Sequence, residues 1–310
     1  MELLIYLILF LLVLIVSSTT NKLLPFLPLP LVQILLGIVI GLFLPNTDFH
    51  LNTELFLALV IGPLLFRESE EADITAILKH WRIIIYLIFP VIFISTLSLG
   101  GLAHLLWLSL PLAACLAVGA ALGPTDLVAF ASLSERFSFP KRVSNILKGE
   151  GLLNDASGLV AFQVALTAWT TGAFSLGQAS SSLIFSIIGG FLIGFLTAMT
   201  NRFLHSFLLS VRATDIASEL LLELSLPLVT FFLAEEVHVS GIIAVVVAGI
   251  LKASRFKKIT LLEAQVDTVT ETVWHTVNFM LNGSVFVILG MELEMIAEPI
   301  LTNPIYNPLL

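Results

Sequence analysis

Two acidic positions dominate the sequence. Asp126 stands in Gly123-Pro124-Thr125-Asp126 and Asp155 in Glu150-Gly151-Leu152-Leu153-Asn154-Asp155, each near the middle of a long apolar run. A carboxylate at membrane depth is costly, and where one is retained it marks an ion pathway, a proton relay or a catalytic centre. Glu150 and Asn154 are four residues apart and share a helix face, and Gly151 and Asp155 form the adjoining pair. Gly151 leaves room for a backbone or an ion to approach Asp155. One carboxylate beside a neutral amide holds either one proton or one monovalent cation. Burial raises a carboxylic acid above its reference pKa of about 3.9, so proton and cation compete for the same oxygens. That competition is sufficient for coupled exchange when a site opens alternately to the two sides. The alternative for these residues is a polar helix–helix contact.

Gly123 and Pro124 interrupt the preceding apolar run near its middle. Proline removes an amide donor and clashes with the turn before it, which frees carbonyl oxygens. Unwound backbone at membrane depth is tolerated only against protein or a water-filled cavity. Free carbonyls, the Thr125 hydroxyl and the Asp126 carboxylate would then form a hard-oxygen ligand set for an alkali cation. The same four residues would also serve as a proline kink with Thr-Asp capping the half-helix that follows.

The elements that must hold these groups are membrane spans. The chain of 310 residues is 58% hydrophobic and 12% charged, with a mean hydropathy of +1.05. These values exclude an ordinary soluble domain. Runs able to cross a hydrocarbon core of roughly 30 Å lie at about 3–18, 24–44, 52–66, 82–107, 111–133, 143–169, 180–204, 214–234, 239–252 and 268–291. The first lacks a basic leader and a small-residue cleavage site, so it reads as a helix rather than a signal peptide. Every one of the 14 Lys and Arg residues falls in an odd-numbered loop or, as Arg82, Lys148, Arg202 and Lys252 do, at the end of a span that adjoins one. By the positive-inside rule those loops are cytoplasmic and the N-terminus is outside. Trp81, Trp107, Trp169 and Trp274 fall near the expected helix ends, where interfacial anchors sit. The single cysteine, Cys115, reads as a small buried hydrophobe.

The remaining polar groups are less specific. Arg67-Glu68-Ser69-Glu70-Glu71-Ala72-Asp73 reads either as a solvated charge run or as an acidic funnel that concentrates cations at Glu70 and Glu71. Glu219 and Glu223 share a helix face, and Glu235, Glu236 and His238 sit in a loop where solvation accounts for them. His104 and His275 read as interfacial or hydrogen-bonded. Leu31–Gly41 and Ser240–Ile250 are faintly alike and would cross in opposite senses, as inverted repeats do. The sequence contains no His/Cys metal spacing, nucleophile elbow or phosphate loop, and nothing that calls for a cofactor or a nucleic-acid partner.

Taken together, Leu64-Leu65-Phe66 with its acidic sequel, Gly123-Pro124-Thr125-Asp126, Glu150-Gly-Leu-Leu-Asn-Asp155, Leu233–Gly241 and Asn282–Gly290 resemble the CPA1 family. These are monovalent cation/proton antiporters, the bacterial sodium/proton exchangers related to the animal NHE exchangers. The stretches run across most of the chain in the family's order, and the Asn154-Asp155 pair is the specific one. The resemblance implies an all-α polytopic membrane protein with about ten transmembrane helices of a thirteen-helix inverted-repeat fold, one core helix being broken at Gly123-Pro124. It implies scaffold and dimerisation helices over 1–79, core transport helices over 80–172, a linker helix over 173–212 and further scaffold helices over 213–310. Asp155 would bind cation and proton, with Thr125 and Asp126 completing the Na⁺ site. Asn154, where electrogenic relatives carry a second Asp, implies electroneutral exchange. Glu150, Pro124 and Gly123 would be structural or proton-linked, and Glu70 or Glu71 would match an acidic position of the third helix. The family commonly has a hydroxyl residue at the position of Gly151, so a water or a carbonyl would replace that ligand.

The expected protein is thus a homodimeric, multi-pass plasma-membrane transporter, not an enzyme, exchanging Na⁺ or Li⁺ for H⁺, with K⁺ as the alternative cation. The family's last three helices have no counterpart here, including the second broken helix and a basic partner for Glu150, so a fragment of a longer transporter is expected. An intramembrane aspartyl protease also places one Asp on each of two helices, but its Gly-x-Gly-Asp and Pro-Ala-Leu elements are missing. A transport-dead sensor or assembly subunit is the remaining alternative.

Overall fold

The computed structural model describes residues 2–24, 26–43, 52–72, 74–124, 139–171, 176–211, 215–253 and 261–302. Among these residues all regular structure is helical and falls into ten rods, one for each expected span. They are α1 (Glu2–Leu23), α2 (Leu29–Phe43), α3 (53–71, with a π-turn at Leu57–Ile61), α4 (74–106, with a π-turn at Leu87–Val91), α5 (Leu112–Leu122), α6 (Lys141–Thr171), α7 (Leu176–Ser210), α8 (Ile216–Glu236), α9 (Gly241–Ala253) and α10 (Leu261–Thr302). Pro90 lies within the π-turn of α4, where the wider turn takes up the missing amide bond.

Several helices outrun their apolar cores. The 42 residues of α10 would extend about 63 Å at 1.5 Å per residue, roughly twice the hydrocarbon thickness. Helical hydrogen bonding is internal and continues into the interface, so Glu292, Glu294 and Glu298 lie on the helix rather than after it. This length also corrects the reading of Trp274. It sits more than three turns inside α10 and is 1% exposed, so it packs in the interior. Trp107 and Trp169 are exposed, as anchors require.

The helices group into two units, Met1–Leu64 with Thr260–Leu310, and Leu65–Ile259. In the first, α2 and α10 cross so closely that a Cβ on Gly37 would collide with the Val287 carbonyl, and one on Gly290 with the Ile34 carbonyl. Small residues at such a crossing let two backbones touch, which is how helices associate where lipid supplies no hydrophobic drive. Gln33 and Ser17 are buried beside it, and Ser17 Oγ donates to the Leu14 carbonyl at 2.9 Å.

In the second unit α4 packs on α5, α5 on α6, and α7 and α8 on α9. Cys115 on α5 is fully buried. The α7–α8 contact carries a buried hydrogen bond, from Thr230 Oγ1 to Thr197 Oγ1 at 3.0 Å. A capping box starts α8: Ser218 N–H donates to Asp215 Oδ1 at 2.8 Å, and Asp215 N–H donates to Ser218 Oγ at 3.2 Å. The Ser218 hydroxyl and N–H hold the Asp215 carboxyl below the usual carboxylate range.

Large apolar side chains cover the outside, among them Phe93, Phe185, Leu221 and Phe232. Among the described residues, Phe185–Ser210, Ile216–Glu236 and Thr268–Leu293 are long and apolar enough to cross a bilayer, and five shorter apolar helices accompany them.

Candidate functional site

The buried polar face of α6 is the centre of the site. Glu150 is 6% exposed, Asn154 is 2% exposed, and Gly151 is buried between them. Asn154 Nδ2 donates to Glu150 Oε1 at 2.7 Å across one helical turn. This bond orients the amide, because it directs Asn154 Oδ1, the oxygen able to ligate a cation, away from Glu150. Asp155 occupies the next backbone position of α6, and its side chain lies outside the described part of the structure. Thr125 and Asp126 lie outside the described residues altogether.

The approach of the interrupted helix is described as far as Pro124. The helix α5 stops at Leu122, and Gly123 follows with φ −75° and ψ −41°. A Cβ on Gly123 would come within 3.0 Å of Ser95 Oγ on α4. The Pro124 ring lies directly against Gly158 of α6, where a Cβ would collide with the proline Cγ. Gly158 is four residues beyond Asn154 and three beyond Asp155, so all three are neighbours along one side of the helix. The structure therefore brings Gly123-Pro124 to the segment that carries Glu150, Asn154 and the Asp155 backbone.

A second polar assembly joins α3, α8 and α9 within the second unit. Arg67 Nη1 contacts Glu70 Oε2 at 2.9 Å, and its Nε contacts Glu71 Oε1 at 2.7 Å. Lys252 Nζ lies 3.2 Å from Glu70 Oε1 and 2.7 Å from Glu223 Oε1, and 5.5 Å from the centroid of the Phe66 ring. Glu70 is thus an enclosed carboxylate with a cation on each oxygen, its side chain 15% exposed. Glu71 keeps 57% of its side chain exposed and is the more solvated of the pair. Alongside, His205 Nδ1 of α7 lies 2.6 Å from Glu219 Oε2 of α8. These two groups, with Asn201, Arg202, Glu223 and Lys252, line a cleft of about 60 Å³.

Lys252 and His205 were invisible to sequence reasoning as partners. The available signal was the spacing of Glu219 and Glu223, which places two carboxylates on one face of α8. Glu235 also has a partner beyond solvent, since its Oε1 accepts the Gly241 N–H at 3.3 Å at the start of α9. His104 Nδ1 lies 3.1 Å from the Leu110 carbonyl, in keeping with a hydrogen-bonded role.

The family model described as "Sodium/hydrogen exchanger, transmembrane" matches residues 7–307. The chain belongs to that family. Its members are transporters rather than enzymes, and the membrane-embedded, all-helical architecture follows from the membership. A sodium, potassium, lithium and rubidium/H⁺ antiporter from Bacillus pumilus is 38% identical over 97% of this chain and 45% of its own length. A Na⁺/H⁺ antiporter, NhaH, from Halobacillus aidingensis is 28% identical over 85% of this chain and 67% of its own. The chain spans less than half the length of the Bacillus pumilus relative it matches. Among solved structures, the sodium/proton antiporter MjNhaP1 from Methanocaldococcus jannaschii superposes with a TM-score of 0.71 at 22% identity, over 94% of this chain and 71% of that one. At that identity the likeness establishes the antiporter fold.

Proposed function

We propose that this chain belongs to a secondary antiporter that exchanges Na⁺ or Li⁺ for H⁺ by alternating access. The observation that carries the reading is the buried Asn154–Glu150 hydrogen bond on α6, next to Asp155 and beside the Gly123-Pro124 interruption. Polar groups held that far from solvent in a membrane helix are retained for transport. In this reading Asp155 is the exchange carboxylate, taking a proton or a cation in turn. Thr125, Asp126 and freed backbone carbonyls supply the remaining oxygens, Gly151 leaves the approach open, and Glu150 fixes the Asn154 amide. One ionisable carboxylate beside a neutral amide gives one-for-one, electroneutral exchange. Residues 80–172 form the moving core, 1–79 and 213–310 belong to a dimerising scaffold, and 173–212 links them. The charge pattern supports an outside N-terminus and cytoplasmic odd-numbered loops in the plasma membrane.

A wider cation range is the second reading, favoured by the name of the Bacillus pumilus relative, which includes potassium and rubidium. Proton efflux from everted vesicles carrying the full-length protein, titrated with Na⁺, Li⁺ and K⁺ across pH, tests both. Asp155→Asn is expected to abolish cation-dependent proton movement. Flux that survives this substitution would rule the mechanism out.

A further inference from the structure

Gly158 of α6 faces Pro124 with no room to spare. At Gly158 an added Cβ would collide with Cγ of Pro124, with Cδ and Cβ of the proline as its next nearest atoms. Gly158 is itself buried. Pro124 has no N–H to bind into a helix and a ring that cannot fold away. Pro124, two residues past the end of α5, is therefore seated against α6 by a rigid ring in a glycine recess.

We infer that Gly158 is a positioning residue: the absence of its side chain makes the socket that sets how closely Gly123-Pro124 approaches the α6 segment carrying Asn154 and Asp155. The inference rests on the exchange-site reading above and deepens it. Three features argue that the contact sets a distance and is more than ordinary packing. Gly158 lies one turn from the pair on the same helix, so a displacement of Pro124 is transmitted directly to that level. Pro124 is bonded directly to Thr125, so a shift of the ring is a shift of the backbone that leads into Thr125. On the other side, the Gly123 Cα faces Ser95 Oγ of α4 with 3.0 Å to a Cβ position, which closes the alternative direction of retreat. A methyl at residue 158 must therefore push the interruption off the site.

The test is a two-by-two set in the full-length protein: wild type, Gly158→Ala, Pro124→Ala and the double variant. Melting temperature in detergent and the apparent KM for Na⁺ in proteoliposomes are measured on each. Gly158→Ala is expected to raise the KM for Na⁺ roughly tenfold with a much smaller change in maximal rate, as a site whose ligands are held apart requires. Removing the ring should relieve the clash, so the double variant should melt above Gly158→Ala and recover the KM of Pro124→Ala. If Gly158→Ala alone does not assemble, recovery of folded protein on adding Pro124→Ala is the same positive result. Strictly additive melting shifts, or an unchanged Na⁺ KM in Gly158→Ala, overturn the inference. Asp155→Asn measured in parallel separates the two readings: exchange that survives it sinks the site assignment, whereas the melting cycle reports on the socket independently of transport.

Discussion

Asn154 and Glu150 illustrate what a buried hydrogen bond does at a transport site. The amide is a donor to one neighbour, and its orientation decides which atom faces a cation. Replacing Asn154 with Ala removes the donor held 2.7 Å from Glu150 Oε1 and should destabilise the protein by about 1–3 kcal/mol, the range for a buried acceptor deprived of its partner. Thermal unfolding of purified protein checks this, and Asn154→Ala combined with Glu150→Ala should cost less than the two singles together. Asn154→Asp is expected to be worse than Asn154→Ala at neutral pH, because it faces one carboxylate with another. A second consequence concerns pH. If proton and Na⁺ share one carboxylate, lowering the pH by one unit on the proton-bound side of the titration should raise the apparent KM for Na⁺ by about tenfold at unchanged maximal rate. A KM independent of pH together with a falling maximal rate would point instead to separate sites.

At the scale of elements, the charge network between α3, α8 and α9 is the most consequential packing feature. Lys252 stands between Glu70 and Glu223, with side chains 12–15% exposed. Lys252→Met would leave two enclosed carboxylates facing one another, and should cost about 3 kcal/mol, the lower end for breaking a buried pair. Neutralising all three, with Glu70→Gln, Lys252→Met and Glu223→Gln together, should recover most of that loss, since the desolvated charges disappear with the cation. Denaturation of the wild type and these two variants side by side decides the matter. The α2–α10 crossing makes a simpler prediction. Gly290→Leu must separate two backbones in contact at Ile34, so the variant should lose stability by at least the roughly 1–3 kcal/mol of ordinary overpacking.

For the molecule as a whole, orientation is the property most directly open to experiment. The chain has a single cysteine, Cys115, which is buried, so a Cys115→Ala background is clean for labelling. Cysteines placed at Ser109, between α4 and α5, and at Ser210, at the end of α7, should react with a membrane-impermeant maleimide from opposite sides. Ser210 should be reached from the cytoplasm. Labelling of both from one side would contradict an odd number of crossings between them.

The helical architecture was legible along the chain because hydropathy is a local sum: each rod corresponds to an apolar run. The Glu150–Asn154 pair was legible for the same reason, since the α-helical period brings residues four apart onto one face. What the period could not show is which helices abut and at what height. Trp274 read as an anchor because its distance from the true end of α10 depends on how far the helix runs past the apolar segment. Glu70 read as a funnel or surface charge because its partners, Lys252 and Glu223, lie more than 150 residues away. Gly158 drew no notice, since a glycine in an apolar helix acquires meaning only from what is pressed against it. Residue types and their helical period therefore determined the spans and the polar face of α6. Tertiary packing alone decided the charge network and the proline socket, because both depend on the registers at which distant helices cross.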